Sequence, residues 1–300
     1  DLSLESRRLH VELSNDESFP LIQKGLLMLC QSQAGLDEEC EVAEHAHRLG
    51  LQAEICDPVR IRELEPNARI EAKGGVWFPQ DCHLSPGDFL KALRRSILHN
   101  GGEFISGRVT KIDKNQRITT AEGQSLDAHT IILAGGIQSL DLAKQLGLKL
   151  PMQGGKGYSV TLPNPDPNPV LCSLLKEGRV AVTPMGSQLR VAGTMEICGQ
   201  NTSISKARLQ GVIEAFCRFY PQYAPEQFEE LKPWVGLRPC SPDGLPYLGR
   251  VPGLENVIVT TGHSMMGLSL APATGHLISQ LVAGETPSID LSALSPARFG

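Results

Sequence analysis

The sequence has no run of about eighteen apolar residues, the length a membrane-crossing helix needs. It has no basic footprint either: 28 Lys and Arg stand against 33 Asp and Glu, for a net charge of −5. Aromatic residues make up only 5%, too few to stack on a series of bases. A nucleic-acid partner is therefore not expected. No stretch has the charged-then-apolar pattern of a secretory signal. The eight cysteines (Cys30, Cys40, Cys56, Cys82, Cys172, Cys198, Cys217, Cys240) form no Cys-x-x-Cys and no Cys/His cluster. Neither a metal site nor a disulfide framework is expected, and the thiols point to a reducing, cytoplasmic compartment. No Gly-x-Ser-x-Gly elbow occurs, which leaves a Ser/His/Asp nucleophile unsupported. What remains is an ordinary globular composition, 41% hydrophobic and 20% charged, over 300 residues, a length that favours two packed domains.

Periodicity gives a coarse outline. Residues 1–20 are polar and weakly patterned. Residues 24–31 read as a strand, 37–49 as an amphipathic helix, 54–65 as a strand followed by a short helix, and 74–79 as a strand. Ser85-Pro86-Gly87-Asp88 is a helix start, with a capping serine, proline at the first position and a carboxylate in the first turn. Residues 103–113 and 117–120 read as a strand pair. The apolar run at 129–133 meets Ala134-Gly135-Gly136 and then a short helix over 139–146. From residue 150 the texture changes to short strands (156–162, 179–183, 188–194) around a stiff proline loop, followed by a helix over 203–220. The last sixth repeats the strand–glycine–helix pattern: Val257-Ile258-Val259-Thr260-Thr261 is β-branched, Gly262 ends it, and helical spacing sets in from about Leu268. Such a junction presents unpaired N–H groups and the positive end of a helix dipole, a socket for an anion or a polarised oxygen.

Single residues leave their roles open. Arg238, in the rigid Gly236-Leu237-Arg238-Pro239, is either a salt-bridged structural residue or a bidentate carboxylate clamp. Tyr158, in Lys156-Gly157-Tyr158-Ser159, points a hydroxyl into a site or belongs to the core or its rim, while Lys156 reads as a solvated charge. His263 is a base or a structural hydrogen-bonder. Asp81-Cys82-His83 reads as turn chemistry before the Ser85 cap.

In order along the chain, several segments resemble one flavoenzyme family, the FAD-dependent D-amino-acid oxidase superfamily. They are Gly74-Gly75-Val76-Trp77-Phe78-Pro79 through His83-Leu84-Ser85-Pro86, Arg108-Val109-Thr110-Lys111-Ile112, Ile131-Ile132-Leu133-Ala134-Gly135-Gly136, Lys156-Gly157-Tyr158-Ser159, and the unit from Gly262 to Gly275. The run Gly236-Leu237-Arg238-Pro239-Cys240-Ser241-Pro242-Asp243-Gly244-Leu245-Pro246 looks most like bacterial D-amino-acid dehydrogenases and glycine oxidases.

The resemblance implies an α/β plus α+β fold, an FAD-binding Rossmann-like domain with an antiparallel-sheet substrate domain. Residues 1–80 would lie mostly in the substrate domain, 81–150 in the FAD-binding domain and 151–235 in the antiparallel substrate domain, with 236–300 returning to the FAD-binding domain. It also implies FAD as cofactor, a small amino acid as substrate, and oxidation of a D-amino acid or glycine-like amine by hydride transfer. Arg238 would clamp the substrate carboxylate, with Tyr158 on the substrate side. Val109 would meet the adenine end, Ala134, Gly135 and Gly136 would pass close to the cofactor, and Gly262, His263, Ser264, Met265, Met266 and Gly267 would lie beside the flavin. A dehydrogenase would hand its electrons to a quinone or electron carrier and rest on the inner membrane face.

The family's opening Gly-x-Gly-x-x-Gly turn does not occur in this sequence. The expectation from that departure is a Rossmann-like domain without its N-terminal βαβ unit, weak FAD binding by this chain, and exposed sheet edges that favour a homo-oligomer. The alternative expectation is a non-catalytic remnant that binds small carboxylates or serves as a scaffold.

Overall fold

The computed structural model describes residues 2–113 and 117–300; Asp1 and residues 114–116, which fall within the expected segments 1–80 and 81–150, lie outside the described residues. In chain order the elements are α1 (Leu2–Asp16), β1 (Leu21–Ile22), β2 (Leu26–Cys30), α2 (Gln33–Arg48), β3 (Glu54–Cys56), α3 (Pro58–Leu64), β4 (Gly74–Phe78), β5 (His83–Leu84) and α4 (Pro86–His99). Next come β6 (Val109–Ile112), β7 (Arg117–Thr120), β8 (Ser125–Asp127), β9 (Ile131–Leu133), α5 (Ser139–Gln145), β10 (Gln153–Pro163), β11 (Cys172–Leu175), β12 (Val180–Met185) and β13 (Gln188–Ile197). The chain ends with α6 (Lys206–Phe219), β14 (Trp234–Cys240), β15 (Tyr247–Val251), β16 (Leu254–Thr261) and α7 (Gly267–Ala283).

Helix starts follow local chemistry. Ser32, Asp57, Ser85 and Ser205 each cap a helix by accepting a backbone N–H from its first turn, and Pro58 and Pro86 occupy first helical positions. Helix α7 has no side-chain cap.

One eight-stranded sheet, in the order β14-β10-β13-β12-β11-β2-β4-β3, is antiparallel except where β11 runs parallel to β2. One face of it buries Leu27, Leu29, Val160, Val182, Leu189 and Val191 against α6. Phe216 of α6 is fully buried there, with ring centroids 5.1 Å from Tyr220 and Tyr223 and 5.8 Å from Phe228. Phe216→Ala should cost about 3–5 kcal/mol, read as a lowered midpoint in urea unfolding. A loss under ~1 kcal/mol would contradict this packing.

A three-stranded sheet, β15-β16-β9, pairs β16 with β9 in parallel and β15 with β16 antiparallel. Alternation along β16 sends Val257 and Val259 into one core with Leu133 and Tyr247, and Ile258 into another with Leu248, Leu277 and Ile278. A separate small sheet, β6-β7-β8, packs Ile112 and Val109 on the first of these cores.

Two elements stand outside the sequence outline, α1 and β14. Residues 2–16 are helical despite their weak pattern, because α1 packs on α7 through polar residues: Ser6 Oγ donates to the Ser269 carbonyl (2.6 Å) and His10 Nε2 bonds the Leu268 carbonyl (3.2 Å). The segment carrying Arg238 is a strand of the eight-stranded sheet, and the chain enters the small sheet at Tyr247. Strand β14 tolerates Pro239 because it is the sheet's edge.

The C-terminal tail is tied down by Arg298, whose Nε and Nη2 reach Asp243 at 2.8 and 2.9 Å and whose Nη1 and Nη2 also bond the carbonyls of Pro246 and Leu245. The Arg298 hydrogen bond holds the Asp243 carboxyl well below its ordinary value of 3.8. A depressed folded-state value means that this tie is complete above about pH 4 and is lost as pH falls further. The tail should therefore gain hydrogen exchange between about pH 4 and pH 2, and Arg298→Ala should reproduce that exchange at neutral pH. Equal protection across that range would count against the tie.

Candidate functional site

The two glycine-ended junctions meet. Because β16 lies beside β9, Thr261 Oγ1 donates to the Gly136 carbonyl at 2.9 Å. Gly262 adopts φ +79°, a left-handed turn that glycine makes without strain, and the chain passes through a 3-10 turn (Ser264–Met266) into α7. Ala134 and Gly135 are exposed, and so are Met265 and Met266 at 67% and 46%. Strand β14 contacts the 3-10 turns of both junctions, and Cys240 forms an isolated bridge with His263.

Arg238 stands next to this convergence. Its guanidinium lies against Gly157, where a Cβ would sit 2.1 Å from Nη1, so only glycine leaves it room. Nη1 donates to the Thr194 carbonyl at 3.1 Å and, at 3.5 Å, to that of Gly155. Among the described residues no carboxylate pairs with it. Burial pulls its pKa below the ordinary arginine value, yet a guanidinium stays charged at neutral pH. Arg238 and Met265 line a cavity of about 720 Å³ whose sheet face includes Met28, Leu174, Ala181 and Ala192, and whose wall away from Arg238 carries Glu38, Glu39, Lys176, Glu177 and Arg179, with Lys176 paired to both Glu38 and Glu39. A half-buried cation without a counter-ion, facing a cavity with an apolar floor, suits a small molecule bearing a carboxylate.

The Thr194 carbonyl is free for this bond because of a β-bulge. Lys156 pairs with Glu196 and Tyr158 with Gly193, so Gly157 alone opposes Thr194 and Met195. Thr194 has φ +66°, a conformation that costs a β-branched residue on the order of 1–3 kcal/mol and persists only where the surroundings enforce it.

The remaining expected residues divide. His263 is partly buried and bonds Thr274 Oγ1 of α7 through Nε2 at 3.1 Å; burial lowers its pKa below 6.5, which leaves it neutral at pH 7 and engaged by that helix. Tyr158 is not on Arg238's face of the sheet. Its ring is 1% exposed, its hydroxyl donates to Glu196 Oε2 (3.0 Å) and accepts from the Ser205 N–H (3.3 Å), all on the α6 side. Lys156, read as a solvated charge, is also buried there, 3.2 Å from Glu196 Oε1. Val109 sits in the separate β6-β7-β8 sheet, opposite Thr120. Sequence reasoning missed Thr194 and Gly157 as parts of the site. The glycine between Lys156 and Tyr158 was the available signal for one, and nothing local marks the other.

A family model described as FAD dependent oxidoreductase matches residues 1–281. The chain belongs to this FAD-dependent oxidoreductase family. It is 30% identical over 286 residues to a D-amino acid dehydrogenase of Paramagnetospirillum magneticum, covering 92% of this chain and 67% of that protein. A D-amino-acid oxidase of Bradyrhizobium diazoefficiens is 26% identical over 306 residues, covering 100% of this chain and 72% of that protein. Among solved structures, glycine oxidase from Geobacillus kaustophilus superposes with a TM-score of 0.91 at 25% identity, covering 100% of this chain and 83% of the other. The fold is thus that of the FAD-dependent oxidoreductases, with mixed and antiparallel sheets. No helix among the described residues is long and apolar enough to cross a membrane.

The site can be tested against the family's cofactor. The uncapped start of α7, the exposed backbone at Ala134 and Gly135, the flanking Met265 and Met266 and the adjoining cavity fit the flavin end of FAD. The sequence has no Gly-x-Gly-x-x-Gly to receive the diphosphate.

Proposed function

We propose that this site binds a small D-amino acid or glycine-like amine by its carboxylate and serves its oxidation to the imino acid, which hydrolyses to the keto acid. The observation that carries the reading is Arg238, a half-buried guanidinium without a carboxylate partner among the described residues, facing a cavity beside both glycine junctions. Its planar fork would hold the carboxylate through two N–H groups and so fix the direction of the α-carbon. The apolar floor at Met28, Leu174, Ala181 and Ala192 would take the side chain and exclude water from it. Backbone N–H groups at the start of α7 would hold the pyrimidine edge of the ring, with residues 262–267 and 134–136 beside it and Val109 toward the adenine. FAD, when bound, supplies the two-electron acceptor for the α-C–H bond. His263 is neutral and bonded to Thr274 and so is not placed to take the ammonium proton; the amine would arrive deprotonated.

The acceptor that follows is a quinone or an electron carrier, in keeping with relatives named D-amino acid dehydrogenases. With FAD added to saturation, a panel of D-amino acids should reduce an artificial quinone or dye. Turnover that consumes oxygen at an equal rate without dye would overturn the choice of acceptor, and no reduction by any member would overturn the redox reading. The Arg238 guanidinium beside an open cavity also fits a second reading, a carboxylate-binding domain without redox activity. Carboxylate binding that persists while FAD-saturated protein stays inactive would select it.

A further inference from the structure

We propose that Glu196 is a positioning residue for Arg238, acting through the bulge in β13. The inference rests on the reading of Arg238 as the carboxylate clamp. The guanidinium's direct support is the Thr194 carbonyl, and Thr194 is the strained residue of the bulge. Two residues further on, Glu196 anchors that bulge on the opposite face of the sheet. Its Oε1 is 3.2 Å from Lys156 Nζ, and its Oε2 accepts from Tyr158 Oη at 3.0 Å and lies 3.3 Å from Arg208 Nε on α6. Lys156 also donates to the Ser203 carbonyl at 2.9 Å, and Tyr158 receives the N–H of Ser205, the cap of α6.

The network therefore brackets Gly157. Its members on β10, Lys156 and Tyr158, are the two neighbours of the glycine on which the guanidinium lies. Its member on β13 ends the bulge whose other side is closed by Gly193, where a Cβ would meet Val212 Cγ2 at 2.8 Å. One carboxylate thus fixes both backbone segments that set the height and direction of Arg238. Neutral glutamine would keep the shape of the side chain but lose its charge toward Lys156 and Arg208. The bulge would then be free to relax toward regular pairing and withdraw the Thr194 carbonyl.

The test is a titration of the chain with D-lactate, a carboxylate that cannot be oxidised at an amine, in four proteins: the parent, Glu196→Gln, Arg238→Met and the double variant. Glu196→Gln should weaken D-lactate about tenfold, with backbone amide spectra unchanged outside β10, β13 and β14. In the Arg238→Met background the same change should have no further effect, because the network acts only through the guanidinium. Additive losses would overturn the proposal, as would an unchanged affinity in Glu196→Gln. Should that variant fail to fold, Tyr158→Phe removes a single hydroxyl and should give a two- to threefold loss that likewise vanishes without Arg238; a loss that persists there overturns the proposal. If Arg238→Met itself leaves D-lactate affinity untouched, the clamp reading fails first, and the positioning role fails with it.

Discussion

Arg238→Lys should weaken carboxylate binding by about 10- to 100-fold, and Arg238→Met by on the order of 1000-fold, with correspondingly lower kcat/KM once FAD is supplied. Lysine retains the charge but replaces a planar fork by a point donor on a flexible stem, so it cannot hold both carboxylate oxygens and orient the α-carbon at once. Nor can its ammonium reach the Thr194 carbonyl and a ligand in the geometry that Nη1 and the opposite edge of the guanidinium provide. The folded state should tolerate the change, because Arg238 has no ion pair among the described residues to lose and its burial is itself unfavourable to the charge. Isothermal titration with D-lactate and steady-state kinetics with a D-amino acid would check it. Near-parental values for Arg238→Lys would show that the guanidinium is structural.

Gly157→Ala should do comparable damage without touching a charged group. The added carbon would lie 2.1, 2.4 and 2.6 Å from Nη1, Nη2 and Cζ of Arg238. These atoms are the far end of a flexible side chain, so the guanidinium swings aside and the backbone stays in place. Gly157 lies outside the left-handed region, which lets alanine adopt its conformation. The expected result is therefore a split: an unfolding free energy within ~1 kcal/mol of the parent, with carboxylate affinity reduced about 100-fold or more. Joint loss of stability and affinity would mean that the strand itself cannot accommodate the methyl group. Retention of both would mean that the guanidinium does not need the position it occupies.

How far the sequence could be read depended on where each signal lay. Starts such as Ser85-Pro86 were legible because cap and first turn are contiguous in the chain. The two glycine-ended junctions were legible for the same reason, and their convergence followed from β16 lying parallel to β9. Helix α1 escaped because the residues it buries, Ser6 and His10, are polar and interrupt the apolar contacts that Leu2 and Leu13 make near its two ends. Strand β14 was hidden by Pro239, which an edge strand tolerates and a central one does not. The face of Tyr158 was set by the register of β10 against β14, which pairs Tyr158 with Val235 and Gly155 with Arg238 and so puts the two side chains on opposite faces; a register between distant segments leaves no local mark. The bulge at Thr194 escaped because a left-handed residue is enforced by its neighbours. Lys156 looked solvated for a similar reason, since its partner Glu196 is forty residues away and only pairing of β10 with β13 brings them together.

The central claim is that the junctions at Gly135 and Gly262 and the guanidinium of Arg238 are parts of one flavin and amino-acid site. Its most direct test is a crystal structure of this chain grown with saturating FAD and D-lactate. Flavin ring density along residues 262–267, with the D-lactate carboxylate held in two contacts by Arg238, is the expected result. Ordered flavin or D-lactate elsewhere, with the guanidinium of residue 238 still on Gly157 and its cavity filled only by water, would contradict it.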